Sequence, residues 1–151
     1  MRRIYATAAA LILAGGASLG AFASEPFDSD AEWNLLNTAS VSERISGDLW
    51  EAVKEFPDPL RAATDDFMVQ GFLVPMLAEA QLSHFILVQD PENCPFCGTG
   101  SGYAPVLEVL LAQAVPSQPE FTQIRVQGTL ELIEDPQTYQ MFRLVDARAV
   151  N

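Results

Sequence analysis

Five short apolar runs occupy the second part of the sequence, and their spacing constrains the fold more than any other feature. Each run is bounded by Pro, Gly, Asp or Asn and separated from the next by a short connection. The predicted strands are Phe67–Met76, Ser83–Gln89, Val106–Val115, Ile124–Ile133 and Tyr139–Val150. Strands of this length with short connections predict a mainly β domain, built as a small five-stranded antiparallel barrel or curled sheet.

Two of these runs contain an internal glycine. Gly71 lies in Val-Gln-Gly-Phe-Leu and Gly128 in Val-Gln-Gly-Thr-Leu. A glycine inside a strand typically marks a bulge or a barrel corner, so both strands are predicted to bend. The pattern partly resembles an oligonucleotide/oligosaccharide-binding barrel. The connection from Pro116 to Thr122 is too short for the helix that such barrels usually carry between their third and fourth strands.

The residues before the first strand are less regular. We expect a short irregular or helical lead-in over residues 24–66, followed by the β domain over residues 67–151. Apolar residues recur every four positions within Val41–Glu55, which predicts a helix there although Gly47 interrupts it. The lead-in is predicted to attach to the domain through Trp33, Leu35 and Leu36.

The N-terminus has the features of a secretory signal peptide. Arg2 and Arg3 precede an apolar stretch rich in small residues, and Ala21-Phe22-Ala23 fits a cleavage site. We therefore expect residues 1–23 to be removed near Ala23 and the protein to reach the periplasm, an oxidising compartment. No later stretch has the length of a transmembrane helix, so no membrane span is expected after cleavage.

Removal of residues 1–23 leaves six basic residues against 20 acidic ones, a formal charge of −14. Such a chain repels nucleic acid and anionic lipid, and we expect neither as a partner. The charge is compatible with cations and basic partners, and it also serves simply to keep an exported protein soluble.

Three segments, Val69–Met76, Ser83–Val88 and Cys94–Ala147, resemble the bacterial exported family catalogued as domain of unknown function 3299. The resemblance extends from about Trp33 to the C-terminus. It implies a periplasmic β-rich domain. It implies no catalytic residues, because that family has no assigned enzymatic activity.

Both cysteines lie in Cys94-Pro95-Phe96-Cys97-Gly98, between the second and third predicted strands. This is the type of turn with which zinc ribbons bind metal, so Cys94 and Cys97 are candidate ligands for a transition metal such as zinc or copper. Further candidate ligands are His84, the only histidine, and Asp90 or Glu92. No other cofactor is indicated.

Two other interpretations of the cysteine pair stay open. Cys94 and Cys97 also match the motif of thiol-disulfide oxidoreductases, although the glycines from Gly98 to Gly102 oppose the helix that activates the first cysteine in those enzymes. In an oxidising compartment the pair is also a candidate structural disulfide in a protein-interaction module. We expect a periplasmic binding or accessory protein rather than an enzyme, with a metal ion or an export or transport protein as its partner. No feature of the sequence indicates an oligomeric state.

Overall fold

The computed structural model describes residues 30–93 and 105–150. Its helices are α1 (Asp30–Leu36) and α2 (Asp58–Ala62), with a short 3-10 turn at Pro91–Asn93. The strands are β1 (Ser40–Ser46), β2 (Leu49–Glu55), β3 (Phe67–Pro75), β4 (Gln81–Val88), β5 (Val106–Pro116), β6 (Gln123–Leu132) and β7 (Phe142–Val150). No helix among the described residues is long and apolar enough to span a membrane.

Strands β3 to β7 form a closed barrel in the order β3-β4-β5-β7-β6, with β3 paired to both β4 and β6. The predicted five-stranded barrel is confirmed, and residues 117–122 between β5 and β6 contain no helix. One pair of strands, β5 and β7, runs parallel. The barrel is therefore mixed, because β7 inserts between β5 and β6.

The two strand glycines lie where the barrel backbone is most crowded. At Gly71, β3 passes from its pairing with β6 to its pairing with β4, and an added Cβ would lie 2.6 Å from the Val88 carbonyl oxygen. At Gly128, an added Cβ would lie 2.6 Å from the Val145 carbonyl oxygen. Gly128 faces a bulge in β7 at Asp146, whose φ is 50°. Both positions require glycine because a neighbouring strand approaches so closely.

The predicted helix over Val41–Glu55 is wrong, because β1 and β2 form an antiparallel hairpin there. Residues four apart fall on one face of a helix, but four is also a multiple of the two-residue period of a strand. The apolar spacing therefore fits both structures. Gly47 decides between them: its φ of 61° at the first position of the two-residue turn between Ser46 and Leu49 is typical of a type II′ hairpin.

One hydrophobic core fills the barrel and extends into the lead-in. Trp33 and Leu36 of α1 and Leu60 of α2 are each at most 1% exposed and belong to the same cluster as the inward-facing barrel residues. The Trp33 indole Nε1 donates a hydrogen bond to the Gln70 carbonyl oxygen at 2.8 Å. The predicted attachment of the lead-in through Trp33 and Leu36 is thus confirmed, and Leu35 packs against the same core.

Candidate functional site

Cys94 and Cys97 lie outside the described residues, so their predicted roles stay predictions. The structure describes the chain up to residue 93 and again from residue 105. β4 ends at Val88 and β5 begins at Val106, and these two residues are paired. The segment that carries the cysteines therefore connects two neighbouring antiparallel strands. Near its start, the Asp90 carboxylate accepts a hydrogen bond from the Glu92 backbone N–H at 2.9 Å.

His84, the third predicted ligand, lies in β4 on the outer face of the barrel, with 38% of its side chain exposed. Its Nε2 is 2.8 Å from Oε1 of Glu108 in β5. An ionised carboxylate can only accept hydrogen bonds, so Nε2 carries the proton. In neutral His84 the lone pair is consequently on Nδ1, which is the nitrogen left for a ligand.

Glu108 is the centre of a polar cluster that was not among the sequence-based predictions. Its side chain is 15% exposed, and its Oε2 accepts a hydrogen bond from Arg143 Nε at 2.6 Å and another from Gln140 Nε2. Burial alone would raise the pKa of Glu108. The hydrogen bonds from Arg143, Gln140 and His84, with the positive charge of Arg143, outweigh burial and hold the pKa below its ordinary value.

The strand register explains why these residues meet. Glu108 pairs with Arg143 across the parallel β5–β7 ladder, and Arg143 pairs with Glu131 of β6. Leu107 and Val109, on either side of Glu108, are fully buried inside the barrel, so Glu108 points outward. His84 is two residues from Ile86, the direct partner of Glu108, and reaches it as a diagonal neighbour on the same face.

This geometry allows two kinds of chemistry. A histidine that donates one N–H to a carboxylate presents a basic lone pair on its other nitrogen, which suits either metal binding or proton transfer. The described residues contain no group of three or more His, Cys, Asp or Glu side chains able to hold a metal ion. A metal at His84 would therefore need ligands from beyond the described residues, and both cysteines lie there.

The sequence did contain one sign of this cluster. Glu108 is the only charged residue in the predicted strand Val106–Val115, and a lone acid in an apolar strand calls for a polar partner. The partners themselves are not visible in the sequence, because Arg143 and Gln140 are more than 30 residues away and reach Glu108 only through the order of the strands.

Comparison with known proteins gives no family for this chain: no protein-family model, no curated protein and no solved structure matches it. Its resemblance to the exported family of unknown function stays a prediction.

Proposed function

We propose that this protein is an exported binding or accessory protein that holds a transition metal ion, such as zinc or copper, between Cys94, Cys97 and His84. The observation that carries the proposal is the hydrogen bond of 2.8 Å between His84 Nε2 and Glu108 Oε1. Metal-binding histidines almost always donate their other ring N–H to a carboxylate or carbonyl group, which fixes the ring and makes the ligating nitrogen more basic.

Glu108 is itself held in place, as this role requires. Arg143 and Gln140 occupy its second carboxylate oxygen, which leaves the first oxygen to His84. The orientation of the imidazole is thus fixed by a network across β4, β5, β7 and the end of the β6–β7 connection. A fixed ligand loses little freedom on binding, which favours affinity.

The chain connectivity also supports this ligand set. The cysteine turn belongs to the connection between β4 and β5, the strands that carry His84 and Glu108. His84 is four residues from the end of β4, a distance of about 13 Å at roughly 3.3 Å per residue. The connection is 17 residues long, from residue 89 to residue 105, which is enough chain to return over this distance.

Two thiolates and one imidazole leave a fourth position open on a tetrahedral ion. An open position suits a protein that accepts and transfers a metal, and a closed structural site would need a fourth protein ligand. The acidic chain, with a formal charge of −12, attracts cations. We also propose a periplasmic location, for which the signal-like N-terminal sequence is the support.

The test is metal analysis of protein purified and kept under reducing conditions, with zinc and copper(I) as probes. We expect one bound ion per chain, lost in Cys94→Ser and strongly weakened in His84→Ala. Glu108→Gln should lower the affinity by roughly 10- to 100-fold, the usual effect of removing the carboxylate behind a ligating histidine. The matched control is Glu131→Gln, which removes the same charge from a neighbour of Arg143 that does not contact His84.

The proposal would be contradicted by a protein that retains no metal, or by a metal affinity that Cys94→Ser leaves unchanged. The same samples distinguish the two alternatives. Catalysed reduction of insulin would indicate a thiol-disulfide oxidoreductase using Cys94 and Cys97. An inert disulfide between Cys94 and Cys97, detected by mass spectrometry, would indicate an interaction module with a structural disulfide.

A further inference from the structure

The β1–β2 hairpin has one edge closed by the rest of the molecule. The Ala52 backbone N–H donates to the Pro136 carbonyl oxygen at 2.8 Å, and the Gln137 side-chain amide donates to the Trp50 carbonyl oxygen at 3.4 Å. Each of these two hydrogen bonds joins a backbone group of β2 to the connection between β6 and β7. The outer edge of β2 is therefore occupied.

Among the described residues, none makes a backbone hydrogen bond to the opposite edge of the hairpin, on β1. Because the Ala52 N–H points away from β1, the Glu43–Ala52 pair is of the non-hydrogen-bonded type, and the N–H and C=O of Glu43 also point away from β2. The same holds for Val41 and Ile45, two positions to either side. Within residues 30–93 and 105–150, no strand other than β2 pairs with β1.

Lys54 fixes the hairpin to the barrel. Its Nζ donates to the carbonyl oxygens of Ile133, Asp135 and Gln140 at 2.8, 2.8 and 2.6 Å, so all three of its protons are used. The Trp50 and Tyr139 rings meet edge to face with centroids 4.8 Å apart. The open edge is thus presented by a rigid hairpin, which lowers the entropy lost when another strand pairs with it.

The charge of the hairpin indicates the kind of partner. The hairpin contains four acidic residues, Glu43, Asp48, Glu51 and Glu55, against two basic ones, Arg44 and Lys54, which gives it a formal charge of −2. Arg44 is paired with Glu51 at 3.5 Å, and Lys54 is engaged with the carbonyl oxygens of the β6–β7 connection. The apolar side chains of Ile45 and Leu49 are 69% and 53% exposed at the tip.

We propose that the free edge of β1 binds an extended, basic segment of a partner protein as an additional strand. Backbone groups of Val41, Glu43 and Ile45 would supply the ladder hydrogen bonds, as in other cases of strand addition. The surrounding acids would favour Lys or Arg at alternate positions of the incoming segment. A second copy of this chain is a poorer occupant, because it brings the same excess of negative charge.

The experiment uses a synthetic eight-residue peptide of alternating Lys and Val, and the same peptide with Glu in place of Lys. Amide hydrogen exchange of the full chain is followed by NMR. We expect the amides of Val41, Glu43 and Ile45 to exchange fast in the free protein and slowly with the Lys peptide. The Glu peptide should leave them unchanged. The proposal would be overturned if the Lys peptide slowed exchange only at amides outside β1, or if both peptides slowed exchange in β1 equally.

Two matched double variants distinguish binding at the β1 edge from a general attraction of the basic peptide to an acidic protein. Asp48→Asn with Glu51→Gln neutralises two acids of the hairpin and should weaken binding of the Lys peptide by roughly three- to tenfold. Glu79→Gln with Glu120→Gln neutralises two exposed acids on barrel loops outside the hairpin and should leave binding unchanged. Equal effects of the two variants, or protection of the same amides by self-association without peptide, would exclude a basic partner at this edge.

Discussion

At the scale of single residues, Glu108 connects three other side chains on the outer face of the barrel. It is 15% exposed yet ionised, since the donors around it hold its pKa below the ordinary range. A carboxyl group with a lowered pKa in the folded state stabilises the protein above its ordinary pKa. That stabilisation is lost as the pH falls through the lowered pKa.

We predict that Glu108→Gln lowers the free energy of unfolding at pH 7 by about 1 to 2 kcal/mol, because charge-assisted hydrogen bonds are lost. The difference from the wild type should shrink as the pH falls through the lowered pKa of Glu108, because the wild-type side chain then loses its charge as well. Urea denaturation at pH 7 and at a series of lower pH values measures the change. Glu131→Gln, at 46% exposure, is the control and should have little effect. A destabilisation by Glu108→Gln that is independent of pH would contradict this account.

His84 stands out in the sequence, but the partner that fixes it does not. His84 is the only histidine, whereas Glu108 is one of 20 acids. Composition and alternation place Glu108 on the outer face, but they do not tell which strand lies beside β5. The contact with Arg143 depends on that neighbour, and only the three-dimensional structure supplies it.

At the level of elements, the hairpin and the β6–β7 connection form one interlocked unit. Burial lowers the pKa of Lys54, and the negative charge of Asp135 opposes this effect. The ammonium group donates hydrogen bonds to three carbonyl oxygens, which without it would need water molecules as donors. The hairpin therefore depends on a single side chain for much of its polar attachment to the barrel.

We predict that Lys54→Met destabilises the protein by about 1 to 3 kcal/mol, because methionine keeps the apolar stem and loses the three hydrogen bonds. Hydrogen exchange at Ala52, whose N–H bonds to Pro136, should become faster than exchange in the barrel strands. Arg44→Met on the exposed strand β1 is the matched control and should change neither quantity. Unchanged exchange at Ala52 in Lys54→Met would show that the attachment does not depend on Lys54.

The strands of the barrel could be predicted from the sequence to within three residues at each end, but the hairpin could not. Ile124–Ile133 alternates so regularly that only a strand fits, and β6 follows it within one residue at each end. In Val41–Glu55 the apolar residues are four apart, which does not distinguish helix from strand. The turn at Gly47 and the burial of Ala52 beside the β6–β7 connection both favour the hairpin, and the second of these is not visible in the sequence.

On the scale of the whole molecule, α1, α2 and the barrel share one hydrophobic core. Trp33 is 1% exposed and contacts the barrel beside Gly71, so the lead-in has no core of its own. Such an arrangement favours a single cooperative unfolding transition. The number of barrel strands could be predicted from the sequence, but the parallel pairing of β5 with β7 could not. The alternation of apolar and polar residues indicates which face of a strand is buried, and it does not indicate which strand lies beside it.

We predict that Trp50→Phe, which leaves Trp33 as the only tryptophan, unfolds in urea with the same midpoint by fluorescence and by far-ultraviolet circular dichroism. Fluorescence then reports the lead-in, and circular dichroism reports mainly the strands. The wild-type chain followed by circular dichroism controls for the substitution. A fluorescence midpoint at clearly lower urea would mean that α1 detaches before the barrel unfolds.

The position of β7 has a consequence for the order in which the chain can fold. β7 lies between β5 and β6, so a chain not yet synthesised as far as Phe142 holds only the open sheet β5-β4-β3-β6. That sheet has two unpaired edges, on β5 and on β6, and such edges invite pairing with other chains. Closure must wait for the C-terminal strand, and until then a chaperone that covers strand edges would protect the nascent protein from aggregation.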